Sequence, residues 1–487
     1  MSAFSGSSHN TTLVVFERDL RIADQKALYE AANAGPLVAV YCMDAPLRAS
    51  LGGAQKWWLH QSITKLDADL ADYGGGLTLI SGNDRAVTLI AFCKANSISK
   101  VSWTARHDIF AGHQNRDSDS VTAEKLREAG LMVSIYPGQL LHEPAAVRTG
   151  SGGPFRVYTP FWRVVAPHLE TIKPGIAPET ITFAQANGGE RLATWALTPT
   201  KPDWSGTLAN AWQPGEAGAH HNLSTFLDGA LDGYDEDRNR PDKIGTSRLS
   251  PHLAFGEISP AQVVQAALKR RGKVPAGDLE TFLKEIVWRE FSYHLLHQKP
   301  GLAVQNFNPN FDRFPWGNDQ AALEAWQTGM TGYPIVDAGM RELYQTGWMH
   351  NRVRMIVASF LTKHLLLDWR AGERWFWDTL VDADPASNAA GWQWVSGSGA
   401  DASPYFRIFN PILQAEKFDP SGDYVRKYVP ELAKLRAPFI HKPWEAPDLE
   451  LISAGVRIGK TYPRPIIEHS KARIRALDAY KALKEPA

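Results

Sequence analysis

Two cysteines, Cys42 and Cys93, are all that the 487 residues contain. That excludes a disulfide framework and a cysteine-ligated zinc or iron–sulfur centre, and it fits a reducing, cytoplasmic setting. Charge of one sign is also missing, since 52 Lys+Arg balance 52 Asp+Glu. A uniformly basic nucleic-acid binder is thereby excluded, though a locally basic face is not. No apolar run approaches the roughly 20 residues that span a bilayer, so no membrane partner is expected. The opening MSAFSGSSHN lacks the charged-then-apolar order of a secretion signal. Repeats, heptads and low-complexity tracts are absent. No G-x-G-x-x-G opens a helix after the first apolar run, and Gly74–Gly76 precede a strand pattern rather than follow one, which disfavours a nicotinamide site.

What is present is a composition for large cores, with 44% hydrophobic and 21% charged residues. Tryptophan is abundant. Of 17, nine fall between 288 and 394. The length predicts two or three domains. Over residues 1–137, short apolar runs alternate with amphipathic stretches. The runs Leu13–Phe16, Leu37–Cys42, Leu77–Ile80, Val101–Thr104 and Met132–Tyr136 read as strands. Gln55–Tyr73 and Val121–Ala129 read as helices between them. This is the pattern of βαβ units and a parallel, Rossmann-like sheet. Residues 138–242 are rich in Gly, Pro and Thr and read as a connector running over both domains. Residues 243–487 read as an all-α domain. Apolar residues recur at three- and four-residue spacing in Leu279–His297, Ala321–Thr328, Pro334–Thr346 and Arg352–Leu367. Its last part, 421–487, carries 13 Lys/Arg against 8 Asp/Glu.

Four segments combine chemistry with spacing, and each has a plain structural reading beside a chemical one. In Gly245-Thr-Ser-Arg-Leu-Ser-Pro251, Ser250 before Pro251 reads as a helix N-cap, or with its neighbours as a cradle for a phosphate. Glu285, Trp288, Arg289 and Ser292 share one helix face, either as an ion pair beside a packed indole or as a pocket wall. Asn351, Arg354 and Met355 share another face, as packing or as contacts for a polarised heteroaromatic ligand. Asp384-Pro385 reads as a cap and first turn, with Asn388 one turn in. Asp382 and Asp384 are caps, acceptors for ribose hydroxyls, or partners of Arg354. No histidine supports them as metal ligands, so no metal is expected. The tryptophans are core, or a path for electrons through oxidisable indoles.

Taken together these segments resemble the photolyase/cryptochrome flavoprotein family. The resemblance rests on Leu13-Val-Val-Phe-Glu-Arg-Asp-Leu-Arg-Ile-Ala-Asp24, Gly245–Ser250, Trp288–Phe291, Thr331–Asp337, Gly347–Met355, Gly391–Trp394 and Tyr405–Pro411, in order and spacing. It implies a helical domain that holds FAD. Tyr234, Thr246, Ser247, Arg248, Leu249 and Ser250 would bind its phosphates and ribitol, with Arg289 also on the cofactor side. Asp382 and Asp384 would hold the ribose and ring edge, Arg354 would pair with Asp382, and Asn388 would face flavin N5. Glu285, Trp288, Arg289, Asn351, Arg352, Met355, Trp394 and Gln414 would meet damaged DNA, with Trp288 and Trp394 sandwiching the lesion. Trp392, Trp369 and Trp316 match the family's photoreduction chain, leading outward to surface loops. The implied activity is light-driven splitting of cyclobutane pyrimidine dimers by an electron from excited, reduced FAD, in a monomer.

The alternatives within the family are a signalling cryptochrome and a six-four photolyase. Plant photoreceptors carry an acid where Asn388 stands, and six-four enzymes place histidines where Asn351 and Met355 stand. Two departures stand out. Glu17 replaces a basic residue, and Phe282 replaces a tryptophan frequent in bacterial repair enzymes. Arg374–Asp384 resembles plant cryptochromes as much as bacterial photolyases. That points to the bacterial branch close to plant cryptochromes and to a methenyltetrahydrofolate antenna, with a deazaflavin second.

Overall fold

The computed structural model describes residues 11–107, 118–402 and 406–483. Tyr405, the first residue of the Tyr405–Pro411 motif, lies outside them. Five strands, β1 (Thr12–Phe16), β2 (Leu37–Asp44), β3 (Leu77–Gly82), β4 (Lys100–Thr104) and β5 (Met132–Tyr136), form one sheet in the order β3-β2-β1-β4-β5. Every pairing is parallel. The cause is legible in β1, Thr-Leu-Val-Val-Phe, which is buried along its whole length. Val14 and Phe16 enter one core, while Leu13 and Val15 enter another on the opposite face. A strand buried on both sides has to be apolar at every position, and helices must cover both faces. Those helices are α1 (Lys26–Ala34), α2 (Gly53–Ala71), α3 (Arg85–Ala95) and α4 (Asp119–Glu128). Glu17, at the end of β1, is buried and ion-paired with Arg85 at 2.7 Å and Arg106 at 3.7 Å.

Residues 138–242 are irregular but supply buried side chains. Helix α5 (Tyr158–Val165) packs Phe161 against Phe291, and α6 (Glu216–Asp228) adds Leu223 and Phe226 to the same core. Trp195 and Trp212 join the core of the sheet domain.

The rest of the chain is helical. Its main elements are α7 (Ser250–Phe255), α8 (Ala276–Gln298), α9 (Gln320–Gln327), α10 (Pro334–Thr346), α11 (Asn351–Ser359), α12 (Trp369–Thr379), α13 (Pro385–Ser396), α14 (Pro411–Phe418) and α15 (His469–Ala482). Proline opens α10 and α13, where no backbone donor is needed. Gly347 ends α10 in the left-handed conformation, φ 65°. The periodicity expected through Leu367 is interrupted. Helix α11 stops at Ser359 and the chain widens into a π-turn, Phe360–His364, with Leu365 N–H bonded to the Phe360 carbonyl at 3.0 Å. The wide turn brings His364 Nε2 within 2.8 Å of His469 Nδ1 on α15.

The two domains are clasped through both main-chain and carboxylate acceptors; Trp58 of α2, for example, donates to Glu257 at 3.1 Å. Arg18 donates to the Ala254 carbonyl at 2.9 Å, Gln55 to that of Trp377 at 2.8 Å, and the Trp377 indole to that of Ser50 at 2.6 Å. Gly256 is required here: its φ is 67°, and a Cβ would stand 2.0 Å from the Arg18 carbonyl oxygen.

Candidate active site

A cavity of about 790 Å³ opens inside the helical domain. Helices α8, α11 and α13 and the loop before α7 supply much of its lining, and the loop before α13 adds Asp382 and Asp384. Helix α8 contributes Glu285, Trp288, Arg289 and Ser292, a spacing that puts all four on one face. Asn351, Arg352, Arg354 and Met355 come from α11, and Asn388, Trp392 and Trp394 from α13. The loop before α7 adds Thr246, Ser247, Arg248, Leu249 and Ser250, and Tyr234 joins them. The structure therefore gathers all but one of the sequence-predicted pocket residues around one space. The exception is Gln414, on α14, which does not line the cavity. Trp369 and Trp316, assigned to the electron path, do not line it either.

Asp382 is the polar centre. Its Oδ2 accepts from Arg354 Nη2 at 2.7 Å and from Ser250 Oγ at 2.6 Å. This corrects the reading of Ser250 as an N-cap. The cap position of α7 is Leu249, and the Ser250 hydroxyl is turned to a carboxylate instead. The Oδ1 atom of Asp382 is buried without a partner. Asp384 caps α13 through Ser387 N–H at 2.7 Å and also accepts from Tyr293 at 2.7 Å. Asn388 donates its amide to Glu373, to the carbonyl oxygen at 3.1 Å and to Oε1 at 3.0 Å. That fixes the side chain and leaves its carbonyl oxygen as an acceptor.

Cations crowd the same space. Arg248, at a left-handed φ of 52°, lies between two indoles, 4.1 Å from the Trp212 centroid and 4.6 Å from that of Trp348. Cation–π contacts of this kind restrain a guanidinium while leaving N–H donors for an anion. Arg238 Nη2 is 2.7 Å from Glu285. Burial pushes the Glu285 carboxyl up, and Arg238 pulls it back. Arg289 donates to the Gln139 carbonyl at 3.0 Å and sits 3.6 Å from buried Glu290. Arg352 donates to Asn239. His350 caps α11 through Nδ1, its Nε2 has no partner, and burial beside Arg352, Arg354 and Arg238 drops its pKa to about 3.

The apolar walls are aromatic. Trp392 is buried against Phe376, with centroids 4.9 Å apart, and its indole N–H has no partner. A Cβ on Gly372 would come within 2.1 Å of its ring. Trp394 is half-buried, 6.0 Å from Arg407. Trp369 requires a correction. The sequence places it in a surface loop; instead it opens α12, is fully buried and donates to Asn306 at 2.9 Å. Of Trp392, Trp369 and Trp316, the last alone is partly exposed.

Sequence reasoning missed Arg238, Trp348, Arg407 and Tyr158. Arg238 follows Tyr234 by one helical turn, and Trp348 lies inside the quoted Gly347–Met355 motif. Those two carried a usable signal, whereas Tyr158 carried none.

The donor set fits a flavin dinucleotide. An unpartnered carboxylate oxygen and an unpartnered indole N–H sit in one aromatic cavity, with hydroxyls and a stacked guanidinium on the loop side. The comparisons agree. Residues 282–482 match the model of the FAD binding domain of DNA photolyase, and 12–179 match that of DNA photolyase. The deoxyribodipyrimidine photo-lyase of Agrobacterium fabrum is 54% identical over 475 residues, covering 97% of this chain and 98% of the relative. The chain belongs to the photolyase/cryptochrome family. Cryptochrome-1 of Arabidopsis thaliana is 36% identical over 97% of this chain and 70% of its own length. The crystal structure of a bacterial class III photolyase from Agrobacterium tumefaciens superposes with a TM-score of 0.95 at 52% identity, covering each chain completely. A family FAD-binding domain is therefore present, joined to a parallel-sheet domain of the same family. Among the described residues no helix is long and apolar enough to cross a membrane.

Proposed function

We propose that this chain is a light-driven lyase that splits cyclobutane pyrimidine dimers in DNA. The observation that carries the reading is the joint facing of two sets of groups across one cavity. Asp382, Arg354, Asn388 and the 246–250 loop stand for the cofactor, and Glu285, Trp288, Asn351, Met355 and Trp394 for a base. Tyr234, Thr246, Ser247, Arg248, Leu249 and Ser250 hold the phosphates and ribityl chain of FAD. Asp382 takes a ligand N–H or O–H on its free Oδ1, and Asn388 accepts at N5. A reduced flavin held there would, on excitation, lend the electron that opens the cyclobutane ring and take it back once both pyrimidines are restored.

The chain's own residues bind and orient. A dimer is poorly stacked in duplex DNA and inexpensive to extrude. Trp288 and Trp394 receive it on their faces, and Glu285, released from or shared with Arg238, accepts from a base edge. Arg352 and Arg289 face the flanking phosphates. Trp392, Trp369 and Trp316 carry the reducing electron inward to the cofactor. The antenna on the sheet domain is methenyltetrahydrofolate. A near-ultraviolet band separate from the flavin bands is its signature, and a deazaflavin band would replace it. The chain acts as a monomer.

The test is lesion selectivity. Reduced, illuminated protein restores thymine from cyclobutane dimers and leaves six-four products unchanged, as read by chromatography of the digested DNA. The reverse selectivity, or flavin photochemistry without any repair, would sink the proposal. The second of these is the signature of a cryptochrome.

A further inference from the structure

Trp288 is presented to the cavity, yet one face of its indole is already taken. The Tyr158 phenol lies against it with ring centroids 3.6 Å apart and planes 7° from parallel. Phe291 meets both rings nearly edge-on, at 5.8 Å from Tyr158 and 5.7 Å from Trp288. Tyr158 opens α5, in the weakly patterned segment between the domains, and does not line the cavity itself. Its hydroxyl donates to the Lys284 carbonyl at 2.7 Å, one turn before Trp288 on α8. Its backbone N–H donates to Asp401 Oδ2 at 3.3 Å, and Asp401 lines the cavity beyond the end of α13. Burial raises the phenol pKa, so the hydroxyl stays a donor.

This arrangement has a consequence for recognition. An indole free on both faces turns about its side-chain torsions and loses that freedom when a base stacks on it. An indole clamped by a parallel phenol has already lost it on folding. It also offers one face only, so a base can stack on it from the cavity side and from nowhere else. From this geometry we propose that Tyr158 is a positioning residue for the lesion. It backs Trp288, fixes the plane of the stacking wall, and so sets the preference for dimer-containing over intact DNA. The inference rests on the repair reading above. Intact duplex places no base in the cavity, so Tyr158 acts on damaged DNA alone.

The experiment is dark binding of the full-length, FAD-loaded protein to two duplexes of one sequence, with and without a single thymine cyclobutane dimer. Tyr158→Leu weakens binding of the dimer duplex by about tenfold, in line with the loss of a base-stacking contact. Intact-duplex affinity and flavin content stay at wild-type values. Tyr158→Met, which is longer and unbranched, is carried in parallel with the same expectation in case the leucine variant folds poorly. Tyr158→Phe keeps the stacked ring and restores the wild-type ratio. In a Trp288→Ala background, Tyr158→Leu changes the ratio no further, because the two residues act through one wall. An unchanged ratio in both the leucine and methionine variants overturns the proposal. So does an equal loss on both duplexes, which marks a packing role, or a Tyr158→Phe as deficient as Tyr158→Leu. A wild-type protein that shows no preference for the dimer duplex overturns the repair reading itself, and that result is visible before any variant is compared.

Discussion

Trp392 shows how one side chain serves packing and chemistry at once. It is buried in the helical core, touches Phe376, lines the cavity and keeps its indole N–H unpaired. It also lies one helical turn after Asn388 on α13, so both reach the same space. Packing alone and electron relay make different claims about Trp392→Phe. The phenylalanine keeps most of the apolar volume and removes the oxidisable ring. Blue-light reduction of the bound flavin, with an external reductant and followed by absorbance, drops to a small fraction of the wild-type rate. Repair by chemically pre-reduced protein persists, since that electron does not pass through Trp392. Wild-type photoreduction in the variant would falsify the relay.

At the scale of elements, α12 and α13 approach so closely that one of them must carry glycine at the contact. A Cβ on Gly372 would fall 2.1 Å from the Trp392 ring, well inside any real contact. The ring is rigid and buried, so the helices themselves must part. Gly372→Ala costs about 1–3 kcal/mol of stability, the usual range for overpacking a filled core. It also loosens the cavity wall. Chemical denaturation measures the first effect and the flavin-to-protein absorbance ratio the second. An alanine variant with wild-type stability and flavin content would show that the helices slide without cost.

Elements were also where the sequence was most readable. The strand starts of the sheet domain follow from unbroken apolar runs, and α10 begins and ends at the proline and glycine that mark it. Helix faces were readable as well, because three- and four-residue spacing decides which side chains stand together. That is why Glu285, Trp288 and Arg289 reach one cavity with Asn351, Arg354 and Met355. Interactions between elements were less readable. Ser250 looks like a cap in a linear reading, and only the approach of Asp382 turns its hydroxyl elsewhere. Trp369 sits in a polar stretch, Asp368-Trp-Arg370, yet tertiary packing buries it. Tyr158 belongs to a segment whose periodicity is faint, and its stacking partner is 130 positions away. The π-turn at Phe360–His364 had no local marker, since each of its residues suits an ordinary helix.

Across the whole molecule, imidazoles that folding keeps neutral add to acid sensitivity. Burial brings the pKa of both His350 and His364 down to about 3. The ordinary value, near 6.5, returns on unfolding. The unfolded chain therefore binds protons that the folded one refuses. The stability these groups contribute is full above about pH 6.5 and is lost as pH falls towards 3, by about 1.4 kcal/mol per unit for each. Raised carboxyls act in the opposite sense. Glu290, pushed to about 7, and Asp419, to about 6, are stabilising when protonated, and their contribution is lost as pH rises through those values. The informative measurement is thus a difference. His350→Asn keeps a side-chain cap for α11 and removes the titrating ring, so its unfolding free energy declines less steeply than wild type between about pH 6 and pH 4. Parallel curves for the two proteins would show that His350 takes up its proton in the folded state.

Part of the clasp between the domains joins side-chain donors to main-chain acceptors, alongside carboxylate acceptors such as Asp378 and Glu257. Arg18 reaches the carbonyl of Ala254, Gln55 that of Trp377, and the Trp377 indole that of Ser50. A carbonyl oxygen is present whatever side chain its residue carries. At Ala254 and Ser50 the bond across the interface does not depend on the residue's own side chain, whereas at Arg18 and Gln55 it does. Where two domains are joined through such acceptors, side chains at those points can differ and the halves still be held by the same bonds.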